Sequence, residues 1–123
     1  MRVSVDDTDM DDQQRVLYNG EPFSGTVCET GKDDQLIAET EYRDGVQDGV
    51  SREYYPNGQL EAEEQYDFGH PQGLLRYWYP NGRLREEKVV DSGRLLQGRQ
   101  WAEDGTPIDP NTGEPLPQGE RRR

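Results

Sequence analysis

The sequence has very few of the residues from which most catalytic and cofactor sites are built. It holds one cysteine, Cys28, and one histidine, His70, in 123 residues. A single cysteine excludes a disulfide within the chain and is typical of a reducing compartment, so we expect a cytoplasmic location. Any Ser–His–Asp set would need His70, which precedes Pro71 in a predicted turn, and no phosphate-cradling glycine loop is present. We therefore expect no enzymatic activity, no metal and no cofactor.

Long apolar runs are also missing. Hydrophobic residues make up 29% of the chain, and we find neither a run of 18 apolar residues nor a basic and apolar export signal. We therefore expect no membrane span and no export. So lean a composition cannot fill a thick core, and by itself it would suggest disorder. The seven tyrosines and two tryptophans argue against disorder, because they recur at regular positions and can build a thin, one-layer structure.

Positive charge is scarce, and the negative charge is unevenly spread. The net charge is −12, and residues 1–50 carry 13 Asp and Glu against four Lys and Arg. An acidic surface repels phosphate groups, so we expect neither nucleic acid nor a membrane as a partner. A basic protein is the natural counterpart. The alternative is that the charge only keeps a thin sheet soluble.

What the sequence does contain is a repeat. The stretch YYPNGQL at residues 54–60 returns 24 positions later as WYPNGRL at residues 78–84. A degenerate first copy occupies residues 20–44, and a truncated last copy carries Trp101. A fixed period of this length indicates a repeat architecture in which each unit buries its surface against the next. The same step relates Gly25, Gly49 and Gly73, Leu36, Leu60 and Leu84, and Gly45, Gly69 and Gly93.

The repeat divides the chain into three parts. Residues 16–108 are predicted to form the repeat domain. Residues 1–15 are predicted to be an acidic arm, to which Val3 and Val5 could add a short edge strand. The aspartates of this arm lack the Gly and Glu that complete a calcium loop. Residues 109–123 are rich in Pro and Gly and are predicted to be disordered.

Each full copy predicts a β-hairpin. Asn57-Gly58 and Asn81-Gly82 are interpreted as two-residue type I′ loops, since Asn-Gly between alternating runs is a strong hairpin signal. Both copies then place an arginine opposite a glutamate. The register pairs Tyr55 with Leu60, Tyr54 with Glu61, Glu53 with Ala62 and Arg52 with Glu63, and in the next copy Tyr79 with Leu84, Trp78 with Arg85 and Arg76 with Glu87.

The register also sorts the side chains onto two faces. On one of these faces, arginines, aromatic rings and glutamates recur in rows. These rows are open to two interpretations, since they can hold the sheet together or bind a protein partner. The face predicted to be more apolar carries Tyr55, Leu60, Ala62, Tyr66, Leu75, Tyr79, Leu84 and Val90. The other face carries Arg52, Tyr54, Glu63, Arg76, Trp78, Glu87, Arg99 and Trp101.

The unit Asp44-Gly45, Gly49, Tyr54-Tyr55-Pro56-Asn57-Gly58, Leu60 and Tyr66 resembles the MORN-variant repeat of bacterial proteins. The resemblance covers residues 16–108, although the first copy lacks Asn-Gly and the last lacks Pro and the second aromatic. It implies an all-β fold of consecutive antiparallel β-hairpins stacked into an elongated single-layer sheet, with about four repeats of 24 residues. Bacterial members of this family are often described as antitoxin or immunity proteins.

Two functions follow as hypotheses. The first is a non-enzymatic antitoxin or immunity protein that neutralises a basic cognate toxin by direct binding. The second is a structural or scaffolding repeat protein that self-associates or bridges other proteins through exposed sheet edges. The sequence leaves the oligomeric state open. The candidate partner-binding residues of the first hypothesis are Asp33, Asp34, Glu39, Glu41, Tyr54, Glu63, Trp78 and Glu87.

Overall fold

Short runs of alternating polar and apolar residues, each ended by Gly or by Pro-Asn-Gly, form strands in the computed structural model, which describes residues 1–117. Two short 3-10 turns, Val5–Asp7 and Lys32–Asp34, interrupt them. The predicted all-β fold of consecutive antiparallel hairpins is confirmed. The strands are β1 (Arg2–Ser4), β2 (Thr8–Met10), β3 (Val16–Tyr18), β4 (Glu21–Pro22), β5 (Gly25–Thr30), β6 (Leu36–Arg43), β7 (Val46–Tyr54), β8 (Leu60–Asp67), β9 (His70–Pro71), β10 (Gly73–Trp78), β11 (Leu84–Asp91), β12 (Arg94–Trp101) and β13 (Pro107–Ile108).

One long sheet contains most of the strands, in the order β1-β5-β6-β7-β8-β10-β11-β12-β13, with β9 pairing beside β10 on β8. From β5 onward, and apart from the two-residue strand β9, strands that follow one another in sequence are neighbours in the sheet, because their short turns permit only antiparallel pairing. The exception is β1, which pairs parallel to β5. A second, small sheet has the order β2-β3-β4.

The turns that join the strands at one end of the long sheet are of type I′. We call this row of turns the glycine edge. At Asp44 and Gly45 the φ angles are +50° and +81°, and the flanking Arg43 and Val46 pair directly. The same two-residue geometry recurs at Phe68-Gly69 and Ser92-Gly93. Type I′ turns are favoured here because their twist matches the right-handed twist of the strands. They need positive φ at both central residues, which is why Gly recurs.

The opposite edge, which we call the proline edge, carries turns of another type, and the prediction of type I′ loops there is wrong. Gly58 has φ of +87°, but Asn57 does not lie in the positive-φ region. The Gly58 amide donates to the Tyr55 carbonyl at 2.9 Å, and the Tyr55 amide donates to the Gln59 carbonyl at 2.8 Å. This is a type I turn with Pro56 at its second position, followed by a left-handed glycine that forms a bulge.

The bulge changes the register beside the turn. The pairs Arg52–Glu63, Glu53–Ala62 and Arg76–Glu87 are confirmed. The pairs predicted nearer the turns are wrong, because the turn with its glycine bulge shifts the pairing by one residue. An extra residue on the second strand, Glu61 in one hairpin and Arg85 in the next, restores the predicted register beyond it. Tyr54 pairs with Leu60 instead of Glu61, Trp78 pairs with Leu84 instead of Arg85, and Tyr55 and Tyr79 belong to the turns.

The N-terminal segment forms a cap on the first repeat. Val3, Val16, Phe23 and Val27 are buried together, with Tyr18 and Tyr42 packed against them. The rings of Tyr18 and Phe23 meet edge to face, with 5.8 Å between their centroids. The edge strand that Val3 was predicted to add to the acidic arm is present as β1, and Val3 enters this cluster. Such a cap shields the end of a repeat stack from water.

At the other end, residues 109–117 form a hydrogen-bonded loop, although residues 109–123 were predicted to be disordered. The Asp109 amide donates to the Glu114 carbonyl at 2.8 Å, and the Gly113 amide donates to the Asp109 carbonyl at 2.8 Å. The Asp109 side chain also accepts from the Asn111 amide at 2.8 Å. These local bonds order a segment that has little apolar surface to bury. Residues 118–123 lie outside the described residues.

Candidate functional site

A row of alternating charge crosses one face of the long sheet, from β6 to β12. Each of its members is the register partner of the next. We call this side of the sheet the arginine face. The row consists of Glu39, Arg52, Glu63, Arg76, Glu87 and Arg99.

The carboxylates of this row are neutralised within the chain. Arg52 Nε lies 2.8 Å from Glu63 Oε2, and Arg76 Nε lies 2.9 Å from Glu87 Oε2. On the other side, Arg52 Nη1 lies 3.6 Å from Glu39 Oε1. Cross-strand pairs of this kind contribute about 0.2–1 kcal/mol each. The row therefore stabilises the sheet and leaves little free charge for a partner.

Glu39 is the most strongly held member of the row. The Tyr54 hydroxyl donates to Glu39 Oε1 at 2.8 Å, and Arg2 Nη2 lies 2.9 Å from Glu39 Oε2. The hydrogen bond from Tyr54, followed by the charges of Arg2 and Arg52, lowers the pKa of Glu39 although burial opposes the shift. Its side chain is only 15% exposed. Glu39 thus fastens β1, β6 and β7 together.

Of the eight predicted partner-binding residues, the structure places Glu39, Glu41, Tyr54, Glu63 and Glu87 on the arginine face. Glu41 is exposed, and its Oε1 accepts from the Val50 amide at 2.6 Å. Trp78 lies half-buried at the end of β10, where its carbonyl accepts from the Tyr55 hydroxyl at 2.6 Å. Most of these residues therefore have partners inside the sheet.

Asp33 and Asp34 lie apart from the others. They are exposed in the turn between β5 and β6, and their φ angles are +59° and +60°. No ion pair reaches either carboxylate within residues 1–117. Both charges stand at the proline edge, where they can influence an approaching partner.

The opposite face, which we call the tyrosine face, carries the carboxylates that the sequence analysis did not select. Glu53 lies here between two alanines on the neighbouring strands. Within the described residues no ion pair involves Glu29, Glu53 or Glu61. The signal was available, since Glu53 follows Arg52 and must point to the other face. The row across this face is Glu29, Ala38, Glu53, Ala62, Tyr77, Glu86 and Gln100.

Crowding of like charge shows in the titration of Glu53. Partial burial, and then repulsion from Glu61, Glu64 and Glu29, raises the pKa of the Glu53 carboxyl. The charged groups that contribute to this shift, after burial, are all carboxylates. The tyrosine face is therefore short of cations around Glu53.

Two tyrosines share the next carboxylate on this face. The hydroxyls of Tyr66 and Tyr77 both donate to Glu64, the first at 3.1 Å. Burial, and then the Glu64 charge, raises the pKa of Tyr66 to about 12. The same causes raise the pKa of Tyr77. Cations already lie over the Tyr77 ring, with Lys88 Nζ at 5.6 Å and Arg85 Cζ at 5.8 Å from its centroid.

Hydrogen bonds between successive turns hold the proline edge. Asn57 Oδ1 accepts from the Gln59 amide at 2.8 Å, which closes its own turn. Its Nδ2 donates to the Pro80 carbonyl at 3.0 Å, which ties that turn to the next. Asn81 repeats both contacts with Arg83 and Glu103. The asparagine of the motif thus acts within its repeat and between repeats.

The glycine edge is joined in a similar way. The amides of Asp44, Phe68 and Ser92 each donate to a side chain 20 positions earlier, at 2.9–3.0 Å. The accepting side chains, which follow the repeat period and which sequence analysis missed, are Ser24, Asp48 and Gln72. Because hydrogen bonds join successive turns along both rows, the strands and their side chains keep fixed spacings on each face. A partner can therefore bind either face with little loss of conformational entropy in this chain.

Two observations concern other classes of site. In the described part of the chain, no group of three His, Cys, Asp or Glu side chains is placed to hold a metal ion. No helix in residues 1–117 is long and apolar enough to cross a membrane. Cys28 is buried on β5, and His70 is exposed on β9.

Comparison with known proteins identifies the repeat itself. Residues 47–67 and 71–90 each match the family model described as MORN repeat variant. The predicted repeat type is therefore confirmed for these two copies. Such repeats are generally protein- or membrane-interaction units, which is consistent with a binding module. No curated protein and no solved structure matches the chain.

Proposed function

We propose that this chain is a non-enzymatic cytoplasmic binding protein, and that its partner is a basic protein that docks on the tyrosine face. The observation that carries the proposal is the contrast between the two faces. Glu39, Glu63 and Glu87 on the arginine face have arginine partners. Glu29 and Glu53 on the tyrosine face have none within the described residues, and the pKa of Glu53 is raised.

The surroundings of Glu53 suit a long cationic side chain. Ala38 and Ala62 flank it on the neighbouring strands, and neither brings a charge of its own. A lysine or arginine of the partner placed there would relieve the repulsion between carboxylates, so the complex would gain energy that the free protein lacks. The Tyr77 ring, one strand beyond Ala62, already accepts cations at 5.6–5.8 Å.

We further propose that the partner is a toxin which this chain neutralises by covering it. The support is chemical. An enzyme that acts on nucleic acid needs a basic surface to hold phosphates, and a rigid row of carboxylates complements such a surface. The charge of −12 would also accelerate the encounter.

Capture from the source cell tests the proposal. The wild-type chain and an E29Q/E53Q variant serve as bait, and the bound proteins are identified. We expect a basic protein on the wild type and much less of it on the variant. The matched control is E103Q/D104N, which removes the same charge from the last repeat and should capture as much as the wild type. Equal capture by all three baits, or an acidic captured protein, would contradict the proposal.

Association and dissociation rates measured with the captured protein would then distinguish long-range electrostatic attraction of the partner from direct contact with it. Asp33→Asn with Asp34→Asn removes two charges at the proline edge, where asparagine tolerates the left-handed backbone. This variant should slow association, and the slowing should vanish at high salt. E53Q should mainly accelerate dissociation, because it removes a docked contact.

A scaffolding role is the second candidate, and one feature of the sheet favours it. Within residues 1–117, β13 covers only Gln100 and Trp101 of β12. Leu95 and Leu96 on the rest of β12 are 62% and 60% exposed. Open sheet edges with apolar residues promote pairing with another chain. Sedimentation of the pure protein over a wide concentration range checks this candidate, because a scaffold of this kind would assemble as concentration rises.

A further inference from the structure

A groove with a cavity volume of about 680 Å³ opens on the tyrosine face near the glycine edge of the third repeat. Leu75 and Val90 form its floor, and Pro71 and Leu95 stand at its sides. Leu75 is 5% exposed, whereas Leu95 is 62% exposed. The groove therefore combines a buried apolar floor with an exposed apolar wall, and a folded protein gains by covering such a wall.

The repeat period relates this groove to a site that is already filled. Two repeats earlier, the positions of Pro71, Leu75 and Val90 are taken by residues of the N-terminal cluster. The turn residue Gly93 corresponds in the same way to Gly45. Phe23 is the equivalent of Pro71, Val27 that of Leu75, and Tyr42 that of Val90.

The first repeat shows what fits such a site. The hairpin made by β3 and β4 covers it, with Val16 buried against Phe23 and Val27. The Val16 amide donates to the Gly45 carbonyl at 2.8 Å, and the Gly45 amide donates to the Phe23 carbonyl at 2.8 Å. The occupant is thus fixed by one β-branched side chain and by one backbone bond to the glycine of the turn.

In the third repeat these contacts are not made within the described residues. Gly93 is exposed, and no hydrogen bond is recorded for its carbonyl among residues 1–117. The intervening repeat offers no equivalent groove of this character, because Gln47 and Ser51 stand where Pro71 and Leu75 stand in the third. The third repeat therefore presents the apolar floor of the first without its cover.

We propose that this groove binds a β-hairpin of a partner protein. A β-branched apolar residue would lie on Leu75 and Val90 as Val16 lies on Val27, and its amide would donate to the Gly93 carbonyl. A second copy of this chain is the poorer occupant, because its own hairpin already covers its first repeat and would have to leave that core. The proposal does not depend on the basic partner proposed above, because the carboxylates of this chain that would bind that partner lie nearer the proline edge.

The probe is a backbone-cyclised peptide carrying residues 15–23, added to the full-length chain and followed by amide chemical shifts. We expect saturable shifts at Leu75, Val90 and Gly93, with none at Gly45. A peptide in which Val16 is replaced by Asp should not bind. Absence of saturable shifts with the unmodified peptide, or shifts confined to Gly45, would overturn the proposal.

Two neighbouring leucines supply a matched pair of variants. Leu95 lines the groove and Leu96 does not, although both are about equally exposed on β12. Leu95→Asp should weaken peptide binding about tenfold, the scale set by burial of one leucine. Leu96→Asp should leave binding unchanged. Both side chains are exposed, so neither substitution should impair folding, which thermal unfolding checks.

The two substitutions also distinguish a partner hairpin in the groove from a strand paired with β12 and from a second copy of this chain. Equal weakening by both substitutions would show that the peptide pairs with the β12 edge, and would overturn the groove as the site. A concentration-dependent dimer that Leu95→Asp abolishes would assign the groove to a second copy, and would overturn its assignment to a partner protein.

Discussion

Glu39 and Glu53 lie on neighbouring strands and on opposite faces of the sheet, and the pKa values of their carboxyls are shifted in opposite directions. The pKa of Glu39 is lowered, chiefly by the hydrogen bond from Tyr54. The pKa of Glu53 is raised, first by partial burial and then by neighbouring carboxylates. The charges of Arg2 and Arg52 add to the effect of Tyr54 at Glu39, whereas the charges near Glu53 belong to carboxylates. One face therefore holds its carboxylates in ion pairs with arginine, and the other holds Glu53 beside further carboxylates.

The first prediction concerns acid stability. A lowered pKa stabilises the native state above the unfolded pKa, and that contribution is lost as pH falls through the folded pKa. Glu39→Gln should lower the free energy of unfolding at pH 7 by about 1.5–3 kcal/mol, the usual size for a hydrogen bond to a charged group. Its deficit should shrink on acidification. Denaturant unfolding between pH 3 and pH 7 measures both effects.

Glu53→Gln is the opposing control. A raised carboxyl pKa favours the folded state only at low pH, and that benefit is lost as pH rises through the folded pKa. At pH 7 the substitution should therefore leave stability unchanged or increase it slightly. A loss equal to that of Glu39→Gln would contradict the assignment of the two faces.

The second prediction separates the two roles of Asn57. Asn57→Asp keeps the Oδ1 acceptor for the Gln59 amide and loses the Nδ2 donor to Pro80. Asn57→Ala loses both contacts. We expect Asn57→Asp to cost about half as much as Asn57→Ala, whose total should be about 1–2 kcal/mol. Equal losses in thermal unfolding would mean that one of the two bonds contributes nothing.

The third prediction uses two glycines in the same type of turn. Gly45 and Gly93 have φ angles of +81° and +79°. A Cβ on Gly93 would meet nothing within 4 Å, whereas a Cβ on Gly45 would lie 2.9 Å from the Val16 carbonyl oxygen. Gly93→Ala should therefore cost only the backbone strain, about 1–2 kcal/mol.

Gly45→Ala should cost more, because the substitution also displaces the N-terminal cap. Faster hydrogen exchange of the Val16 amide would report that displacement directly, since this amide donates to the Gly45 carbonyl. If both alanine variants unfold with the same loss of stability and the Val16 amide stays protected, the cap does not depend on this turn.

The fourth prediction concerns alkaline stability. Tyr66 has its pKa raised to about 12 in the folded chain, against 10.0 ordinarily. The unfolded state therefore loses its phenolic proton first, so stability is fully present below pH 10 and falls as pH rises towards 12. Tyr66→Phe should flatten this part of the stability profile. Glu64→Gln should bring the Tyr66 titration, followed by ultraviolet absorbance, closer to pH 10. An unshifted titration would show that Glu64 is not a cause.

Several features of the fold could be predicted from local sequence. The 24-residue period, the antiparallel hairpins and the pairs Arg52–Glu63 and Arg76–Glu87 follow from alternation of side chains and from glycines at fixed spacing. The turn at Asn57-Gly58 was assigned to the wrong type because Pro56 was treated as a flanking residue. With Pro at the second position of a type I turn, the bulge and the shifted partner of Tyr54 follow.

By itself, the sequence determined the repeat, its strands and the arginine–glutamate pairs, because these depend on φ preferences and on the period-2 alternation of neighbouring residues. Only the tertiary structure decided which carboxylates remain unpaired and which groove stays open. Glu53 differs from Glu39 because of what lies on the adjacent strands and on its own face. The groove at Leu75 differs from its equivalent at Val27 because the hairpin of residues 16–22 folds back over the first repeat and not over the third. The open groove arises from contacts between segments far apart in the chain, and no local pattern encodes those contacts.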